Sequence, residues 1–204
     1  MTKENATQQI RNTQTRSRIK KALTELIVKK GFDALTVSDI TRLAEINRGT
    51  FYLHYIDKFD LLQTLEDEMI AELKGVLISE DDTSGMRSSI DMFPYDALLA
   101  CLKIVCADFD FVAAISGKGG DPEFGSKLKD IISDLLDQSL RITGGEIRCD
   151  QFDYDYARAL TICHVTTIIN LWLERGGQES PEEVARMIVA AKEICPVELV
   201  KLAG

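Results

Sequence analysis

The sequence predicts an all-α protein in which a three-helix N-terminal head is followed by a larger helical bundle, with about nine helices in total. Two observations predict this class. Apolar residues recur at intervals of three and four along most of the 204 residues, and capping residues, proline or glycine separate the stretches. No stretch of useful length alternates with period two, so strands are not expected.

The first helix is expected over residues 15–30, after a flexible basic arm formed by residues 1–14. The arm is polar, shows no apolar period and carries Lys3 and Arg11, which are available for nonspecific phosphate contact. The helix that follows has an apolar stripe at helical spacing and is closed by Gly31. The stripe consists of Ile19, Leu23, Leu26 and Ile27.

Two short helical patterns come next, with a break of a few residues between them. Thr36 followed by Asp39 predicts a capped helix start, and this helix ends near Ala44. Asn47 is expected to cap the second helix, whose exposed positions offer hydrogen-bond donors suited to phosphates and base edges. These positions are Arg48, Gly49, Thr50, Tyr52 and His54. The layout is that of a helix-turn-helix, whose second helix lies in the DNA major groove, so the working hypothesis is a DNA-binding protein.

This region resembles the N-terminal domain of the TetR/AcrR family of bacterial transcriptional regulators. The resemblance covers roughly residues 15 to 65 and is carried by TVSDI (36–40), AEINRGTFYLHY (44–55), DK (57–58) and LL (61–62). It implies that Arg48, Thr50 and Tyr52 face DNA. Thr36, His54 and Lys58 are implied phosphate contacts. The full set of predicted DNA-binding residues is Thr36, Ser38, Asn47, Arg48, Gly49, Thr50, Tyr52, His54 and Lys58.

Two positions depart from the family pattern. Glu45 stands where the family usually has a turn glycine, which costs about 1 kcal/mol if the residue adopts a left-handed backbone. It also places a negative charge near the expected DNA surface. Tyr55 stands where the family usually has phenylalanine.

The charge is divided unevenly along the chain. Residues 1–60 hold 11 Lys and Arg against 7 Asp and Glu, a balance of +4, whereas the remainder holds 13 against 26, a balance of −13. A basic head on an acidic body attracts phosphate where the helix-turn-helix lies and repels it elsewhere. The net charge of −9 is therefore compatible with DNA binding.

Asp57 is expected to cap a long helix over residues 57–78 that links the helix-turn-helix domain (15–56) to a regulatory and dimerisation domain (57–204). An acidic, serine-rich loop is expected at residues 79–92. Four helical stretches follow, and capping residues, proline or glycine bound them. They cover residues 94–116, 121–144, 153–175 and 180–196.

Residues 153–175 are apolar around most of the helix, which is typical of a helix buried on two sides, as at a subunit interface. The family resemblance implies that the last two long helices pair with their copies in a second subunit. A homodimer that reads a palindromic site is therefore expected. The predicted interface residues are Leu160, Ile168, Leu171, Val184, Met187, Ile188 and Ala191.

The resemblance also implies a small-molecule pocket in the body, where an effector would release the protein from its operator. The candidate lining residues are Phe109, Phe111, Tyr156, His164 and Trp172, although aromatic residues at helical spacing also pack ordinary cores. A pattern over residues 172–183 is similar to the C-terminal domains of TetR-like regulators from Gram-positive bacteria, some of which answer to a protein partner. Control by a protein co-regulator, or activation instead of repression, is the alternative.

Other function classes find less support in the sequence. Hydrolase, nucleotide-binding, dinucleotide-binding and zinc-protease motifs are absent, so neither an enzyme nor a cofactor is expected. Five cysteines without a Cys-x-x-Cys pair are expected to be free thiols and no metal site is expected, although a metal sensor built on Cys101, Cys106, Cys163 and His164 is conceivable. A helical interaction protein that does not bind DNA is the remaining alternative. A polar N-terminus and the lack of a long apolar stretch predict a cytoplasmic protein without membrane contact.

Overall fold

A computed structural model of the chain describes residues 3–79, 94–144, 146–147 and 153–191. Within these ranges the chain forms nine α-helices and no strand, so the predicted all-α class is confirmed. None of these helices combines the length and the apolarity needed to cross a membrane. The helices are α1 (Lys3–Lys30), α2 (Val37–Leu43), α3 (Arg48–Tyr52), α4 (Lys58–Ser79), α5 (Tyr95–Ala107), α6 (Phe109–Ser116), α7 (Phe124–Thr143), α8 (Tyr154–Glu174) and α9 (Pro181–Ala191).

Two compact units share these helices. Among the described residues, the first unit lies within Met1–Ala71 and Asp110–Phe124, and the second lies within Glu72–Phe109 and Gly125–Gly204. Helix α4 begins in the first unit and ends in the second. The domain limits predicted from the sequence, with the head at residues 15–56, stay a prediction.

The first unit is organised around a small apolar core. The α1 stripe provides Ile19 and Leu23, α2 provides Ile40 and α3 provides Phe51, and all four side chains are fully buried. Their burial removes apolar surface from water, which fixes α2 against α1 and α3 against α2 although neither short helix is long enough to be stable alone. Helix α3 is thereby held with its opposite face outward.

Helix α1 begins at Lys3, twelve residues before the predicted start at Thr15. The predicted helix start at residue 15 is therefore wrong, while the flexibility of the basic arm stays a prediction. These residues include lysine, glutamate, alanine, glutamine and arginine, which favour helix, and they contain neither proline nor glycine. Because helix extension from an existing helix is easier than nucleation, the segment needs no apolar stripe of its own to continue α1.

The predicted helix over residues 94–116 is also wrong in part, because the chain divides it into α5 and α6 at Asp108. The backbone of Asp108 has φ −122° and ψ 30°, which is not helical. No proline or glycine marks this break in the sequence. The division allows α6 and the following loop to pack in the first unit, while α5 packs in the second.

The loop after α6 meets the end of α1 by close backbone contact. The Phe32 N–H donates to the Gly119 carbonyl at 2.7 Å. A Cβ at Gly119 would lie 3.1 Å from the Gly31 Cα, which is tighter than most real contacts. Gly31 itself has φ 81°, a left-handed backbone that glycine adopts without strain. The close approach therefore favours glycine at position 119, and the left-handed backbone favours glycine at position 31.

The second unit is built on α9, which packs against α5 and α8. Its core includes Leu98 and Leu102 of α5, Val165 of α8, and Val184 and Ile188 of α9, all of which are buried. The observed bounds of α7, α8 and the start of α9 lie within a few residues of the predicted ones. The predicted loop at residues 80–92 and the predicted break at Pro196 lie outside the described residues.

Candidate nucleic-acid interface

The start of α2 is fixed by a reciprocal cap. The Thr36 hydroxyl accepts from the Asp39 N–H at 3.2 Å, and the Asp39 carboxylate accepts from the Thr36 N–H at 3.0 Å, as predicted from the spacing. Lys30 and Arg42 each donate to the same carboxylate, at 2.6 Å. The hydroxyl of Thr36 also donates to Asp39 at 2.8 Å, so its proton is engaged within the protein. Ser38 is exposed beside this cap.

The Lys30 ammonium and the Thr36 donors hold the pKa of the Asp39 carboxyl well below its usual range. A carboxyl with a lowered folded-state pKa contributes stability that is complete above its unfolded pKa of about 4 and is lost as the pH falls toward the folded value. We therefore expect Asp39→Asn to lower stability at pH 7 and to weaken the loss of stability below about pH 4. Urea denaturation between neutral and acid pH measures both effects.

Asp33→Asn is a matched control, because it makes the same change on an exposed residue of the same unit. Its acid dependence of unfolding should follow that of the wild type. Equal acid sensitivity of the wild type and the Asp39→Asn variant would contradict the role assigned to the cap.

The turn between α2 and α3 contains a strained residue. Glu45 has φ 50° and is the only non-glycine residue with positive φ in the described part of the chain. The left-handed backbone anticipated for this position is therefore present, at a cost of about 1 kcal/mol relative to glycine. Nη2 of Arg18 donates to both the carbonyl and the carboxylate of Glu45, each at 3.1 Å. The Ile46 N–H donates to the Thr41 carbonyl at 3.0 Å and closes the turn.

The cap of α3 uses two of the predicted DNA-binding residues. The side-chain oxygen of Asn47 accepts from the Thr50 N–H at 2.7 Å and from the Thr50 hydroxyl at 3.0 Å. Because the hydroxyl proton is donated inside the cap, Thr50 retains acceptor capacity only. A Cβ at Gly49 would lie 3.3 Å from the same Asn47 oxygen, so a larger residue would crowd the cap. The sequence-based hypothesis of a capped second helix is confirmed.

Arg48, Gly49 and Tyr52 form the outward face of α3, opposite the buried Phe51. Nη2 of Arg48 lies 3.5 Å from the Tyr52 hydroxyl, so the two side chains are neighbours on this face. Leu53 follows on the same side and is exposed, although the sequence prediction did not include it. The face offers one guanidinium, one phenol and a stretch of backbone without a side chain, which are groups suited to base edges and phosphates.

Tyr55 and His54 follow α3 and differ in exposure. Tyr55 is buried, and its hydroxyl accepts from Nε of Arg16 at 3.3 Å, while Arg16 also forms an ion pair with Glu68. The hydrogen bonds from Arg16 to Tyr55 and then to Glu68 raise the pKa of Arg16 above its ordinary value. The tyrosine that replaces phenylalanine thus gives Arg16 a partner. His54 is half-buried, and its ring lies 6.0 Å from that of Tyr55.

Lys58, a predicted phosphate contact, has its ammonium engaged within the protein. Its ammonium donates to the carbonyls of Phe32, Asp33 and Leu35 at 3.0, 2.9 and 3.1 Å. It also lies over the rings of Phe32 and Phe59, 4.9 and 5.1 Å from their centroids. An ammonium has three N–H groups, and all three are used inside the protein. Lys58 in this structure therefore ties the start of α4 to the connection between α1 and α2.

The predicted dimer-interface residues fall into two groups. Leu160 and Leu171 of α8 and Met187 of α9 are 57%, 52% and 43% exposed. Val184 and Ile188 are 0% and 1% exposed, so their prediction as interface residues is wrong. They pack in the core of the second unit because α9 turns this side toward α5 and α8. Ile168 and Ala191, also predicted, are half-buried.

The predicted pocket residues lie in both units and differ in exposure. Phe111 belongs to the first unit, where the Lys20 ammonium lies 4.8 Å from its ring centroid, and Tyr156 is 67% exposed. The Phe109 and Trp172 rings meet edge to face at 5.4 Å, and the indole N–H donates to the Glu179 carbonyl at 2.9 Å. These two rings support the turn between α8 and α9. Burial holds the pKa of the half-buried His164 below its ordinary value.

The turn between α8 and α9 contains two adjacent glycines, and the surroundings of Gly177 account for the second of them. Its φ is 66°, and a Cβ there would lie 2.7 Å from the Phe109 ring. The capping pattern that follows is also present, because the Glu183 carboxylate accepts from the Ser180 N–H at 2.8 Å. The glycine, serine and glutamate of this segment are thus accounted for by the geometry of the turn.

A cleft of about 480 Å³ lies between α7 and α8 in the second unit. Arg158 crosses it, donates to Ser133 and contacts the Asp137 carboxylate at 2.9 Å. None of the five predicted pocket residues lines it. The lining residues are Lys129, Asp130, Ser133, Asp155, Arg158, Ala159, Ile162 and Cys163. In the part of the chain that the structure describes, no group of three or more His, Cys, Asp or Glu residues is placed to hold a metal ion.

Comparison with known proteins covers both units. Residues 19–65 match the family model described as bacterial regulatory proteins, tetR family, and residues 94–191 match the one described as a transcriptional regulator C-terminal region. The uncharacterized HTH-type transcriptional regulator YxbF of Bacillus subtilis (strain 168) is 41% identical over 64 residues, which make up 31% of this chain. The match spans only 17% of the length of that relative.

Two solved structures share the fold along nearly the whole chain. A TetR-family transcriptional regulator from Syntrophomonas wolfei aligns with a TM-score of 0.60 at 15% identity, over 94% of this chain and 98% of that one. The dihydroxyacetone kinase operon activator DhaS aligns with a TM-score of 0.58 at 22% identity, over 87% of this chain and 93% of that one. At these identities the likeness concerns the fold.

Proposed function

Because this chain belongs to the TetR family of bacterial transcriptional regulators, we propose that it represses transcription by binding a palindromic operator as a homodimer. The observation that carries this proposal is the outward face of α3, with Arg48 and Tyr52 adjacent and Gly49 leaving the backbone open. Arg48 reads a base edge, and Tyr52 and His54 contact phosphates. Asn47 and Thr50 position the helix through its cap.

The experiment that tests this proposal is selection of genomic fragments by the purified protein, followed by footprinting across a salt series. An enriched palindrome protected on two adjacent helical turns is the expected result. A reporter gene placed behind that site should then be transcribed more strongly when the protein is absent. Binding that is absent or independent of sequence even at low salt would refute the proposal, and lower transcription without the protein would make it an activator.

Dimerisation is supported by the exposure of three large apolar side chains on α8 and α9, which are Leu160, Leu171 and Met187. Large exposed apolar side chains that lie together on a surface are typical of a protein–protein contact. On a two-fold axis each of these side chains meets the same surface of the second subunit. Two heads related in this way match the two halves of a palindrome.

Leu160→Ala is expected to raise the dissociation constant of the dimer about tenfold, because it removes a half-exposed leucine from the shared apolar surface. Sedimentation equilibrium without DNA measures the change. Leu53→Ala is the matched control, since it makes the same substitution on an exposed residue of the first unit. A wild-type protein that is monomeric at micromolar concentration, or equal effects of the two substitutions, would contradict this interface.

Release from the operator by a small-molecule effector completes the proposal. The cleft of about 480 Å³ between α7 and α8 lies within the usual size range of ligand sites. Its polar groups, including Arg158 and Ser133, would orient a ligand. A ligand screen by thermal shift, followed by operator release with each hit, tests this part separately from DNA binding.

A further inference from the structure

Arg18 and Glu45 form an ion pair that joins α1 to the turn between α2 and α3. Glu45 lies in the turn that precedes α3, and its side chain is 85% exposed, while that of Arg18 is 47% exposed. One guanidinium nitrogen, Nη2, serves both the carbonyl and the carboxylate of Glu45 at 3.1 Å. The contact joins the first helix to the turn of the helix-turn-helix across 27 residues of sequence.

The fold does not require this carboxylate. The turn is closed by backbone bonds, from the Ile46 N–H to the Thr41 carbonyl at 3.0 Å and from the Glu45 N–H to the Arg42 carbonyl at 3.3 Å. The bond from Arg18 to the Glu45 carbonyl is available whatever side chain stands at this position. An exposed single ion pair contributes little to stability. The main effect of the carboxylate is therefore on the charge of this surface and not on the stability of the turn.

Its position places that charge at the proposed DNA surface. Glu45 precedes the Asn47 cap by two residues and Arg48 by three, so a phosphate that approaches the start of α3 also approaches this pair. A guanidinium that donates to a carboxylate is less available to a phosphate, since both anions compete for the same planar donors. The carboxylate itself repels the phosphate.

We propose that Glu45 sets the strength of sequence-independent DNA binding by holding Arg18 in an intramolecular ion pair, so that this guanidinium is withheld from the DNA backbone. The inference rests on the proposed DNA-binding function. Glu45 acts as a positioning residue: it lowers the number of phosphate contacts that the head makes and leaves the reading of bases to α3. Because phosphate contacts are independent of sequence, the effect applies to operator and random DNA alike.

The test is Glu45→Gln, which keeps the length of the side chain and removes its charge. A neutral amide accepts more weakly from arginine than a carboxylate does, so Arg18 becomes available to a phosphate. Binding of random-sequence duplex DNA, followed by fluorescence anisotropy across about 50 to 200 mM salt, should strengthen roughly three- to tenfold at the low-salt end. The slope of log affinity against log salt should steepen by about 1.

Glu25→Gln is the control, because it removes one negative charge from an exposed residue of α1 in the same unit. It should raise affinity slightly and leave the slope unchanged. In addition, Arg18→Gln should cost several times more affinity in the Glu45→Gln background than in the wild type, which is the signature of a masked contact. Urea denaturation of each variant establishes that the head remains folded.

A slope for Glu45→Gln equal to that for Glu25→Gln would overturn the proposal, as would an equal cost of Arg18→Gln in both backgrounds. Either result would leave the proposed function intact if the wild type still binds its operator. A wild type that binds neither operator nor random DNA at low salt would instead refute the proposed function itself.

Discussion

Lys58→Met is expected to lower the free energy of unfolding by about 2 to 4 kcal/mol. The substitution retains the apolar stem beside Phe32 and Phe59 but removes the ammonium, which donates to the carbonyls of Phe32, Asp33 and Leu35. Leaving a partly buried carbonyl without its charged donor costs free energy, and this ammonium donates to three carbonyls. Urea denaturation of the full chain, followed by circular dichroism, measures the loss.

Lys29→Met is the matched control, since it makes the same charge change on an exposed residue at the end of α1. It should change stability by less than about 0.5 kcal/mol. The contrasting expectation, from the family resemblance, is that Lys58 contacts a phosphate. In that case Lys58→Met would weaken binding to all DNA sequences alike, reduce the salt slope by about 1 and leave unfolding nearly unchanged. The two outcomes are separable because one changes stability and the other changes DNA binding alone.

Arg48→Ala is expected to cost roughly 1 to 3 kcal/mol of binding at the operator, or about 5- to 150-fold in affinity. Arg48 is the first residue of α3, is exposed, and lies beside the Tyr52 hydroxyl. A guanidinium in this position presents the paired donors that recognise guanine in the major groove. Random DNA should lose only the modest affinity that one positive charge contributes. Anisotropy with operator and random duplexes at one salt concentration measures both.

Arg48→Lys separates charge from geometry at the same position. Lysine retains the positive charge but lacks the planar pair of donors. Its affinity for random DNA should therefore remain close to that of the wild type, while its affinity for the operator falls. Equal losses on operator and random DNA for Arg48→Ala would show that Arg48 contacts the backbone instead of a base.

The cap residues show how far sequence reasoning reaches into the site. Thr36 with Asp39 and Asn47 with Thr50 each lie three residues apart, so their hydrogen bonds follow from local helix geometry. The left-handed backbone at Glu45 is a different case, because only the family resemblance, in which glycine is usual at this position, pointed to it. The caps depend on neighbours in sequence, so a single chain read in order is enough to predict them.

Faces of short helices were harder to predict. In α2 the spacing of Val37, Ile40 and Leu43 predicts an apolar face with Thr41 on the opposite side. Leu43 is nevertheless 43% exposed, and Thr41 is buried. Thr41 tolerates burial because its hydroxyl donates to the Ser38 carbonyl at 3.3 Å and its carbonyl accepts from Ile46. A helix of two turns has too few positions for its periodicity to identify the buried side.

By itself, the sequence determined the all-α class, the order of most helices, the helix-turn-helix and its caps, because these depend on contacts three or four residues apart. Only the tertiary structure decided that Lys58 binds carbonyls 23 to 26 residues away, that Arg18 pairs with Glu45, and that Val184 and Ile188 face the core. Each of these outcomes depends on which distant segment packs nearby. The residues next to a charged or apolar side chain in sequence do not indicate its tertiary partner. Composition and spacing therefore predict that a charge will be paired and an apolar side chain buried, but they do not predict which residue will be the partner.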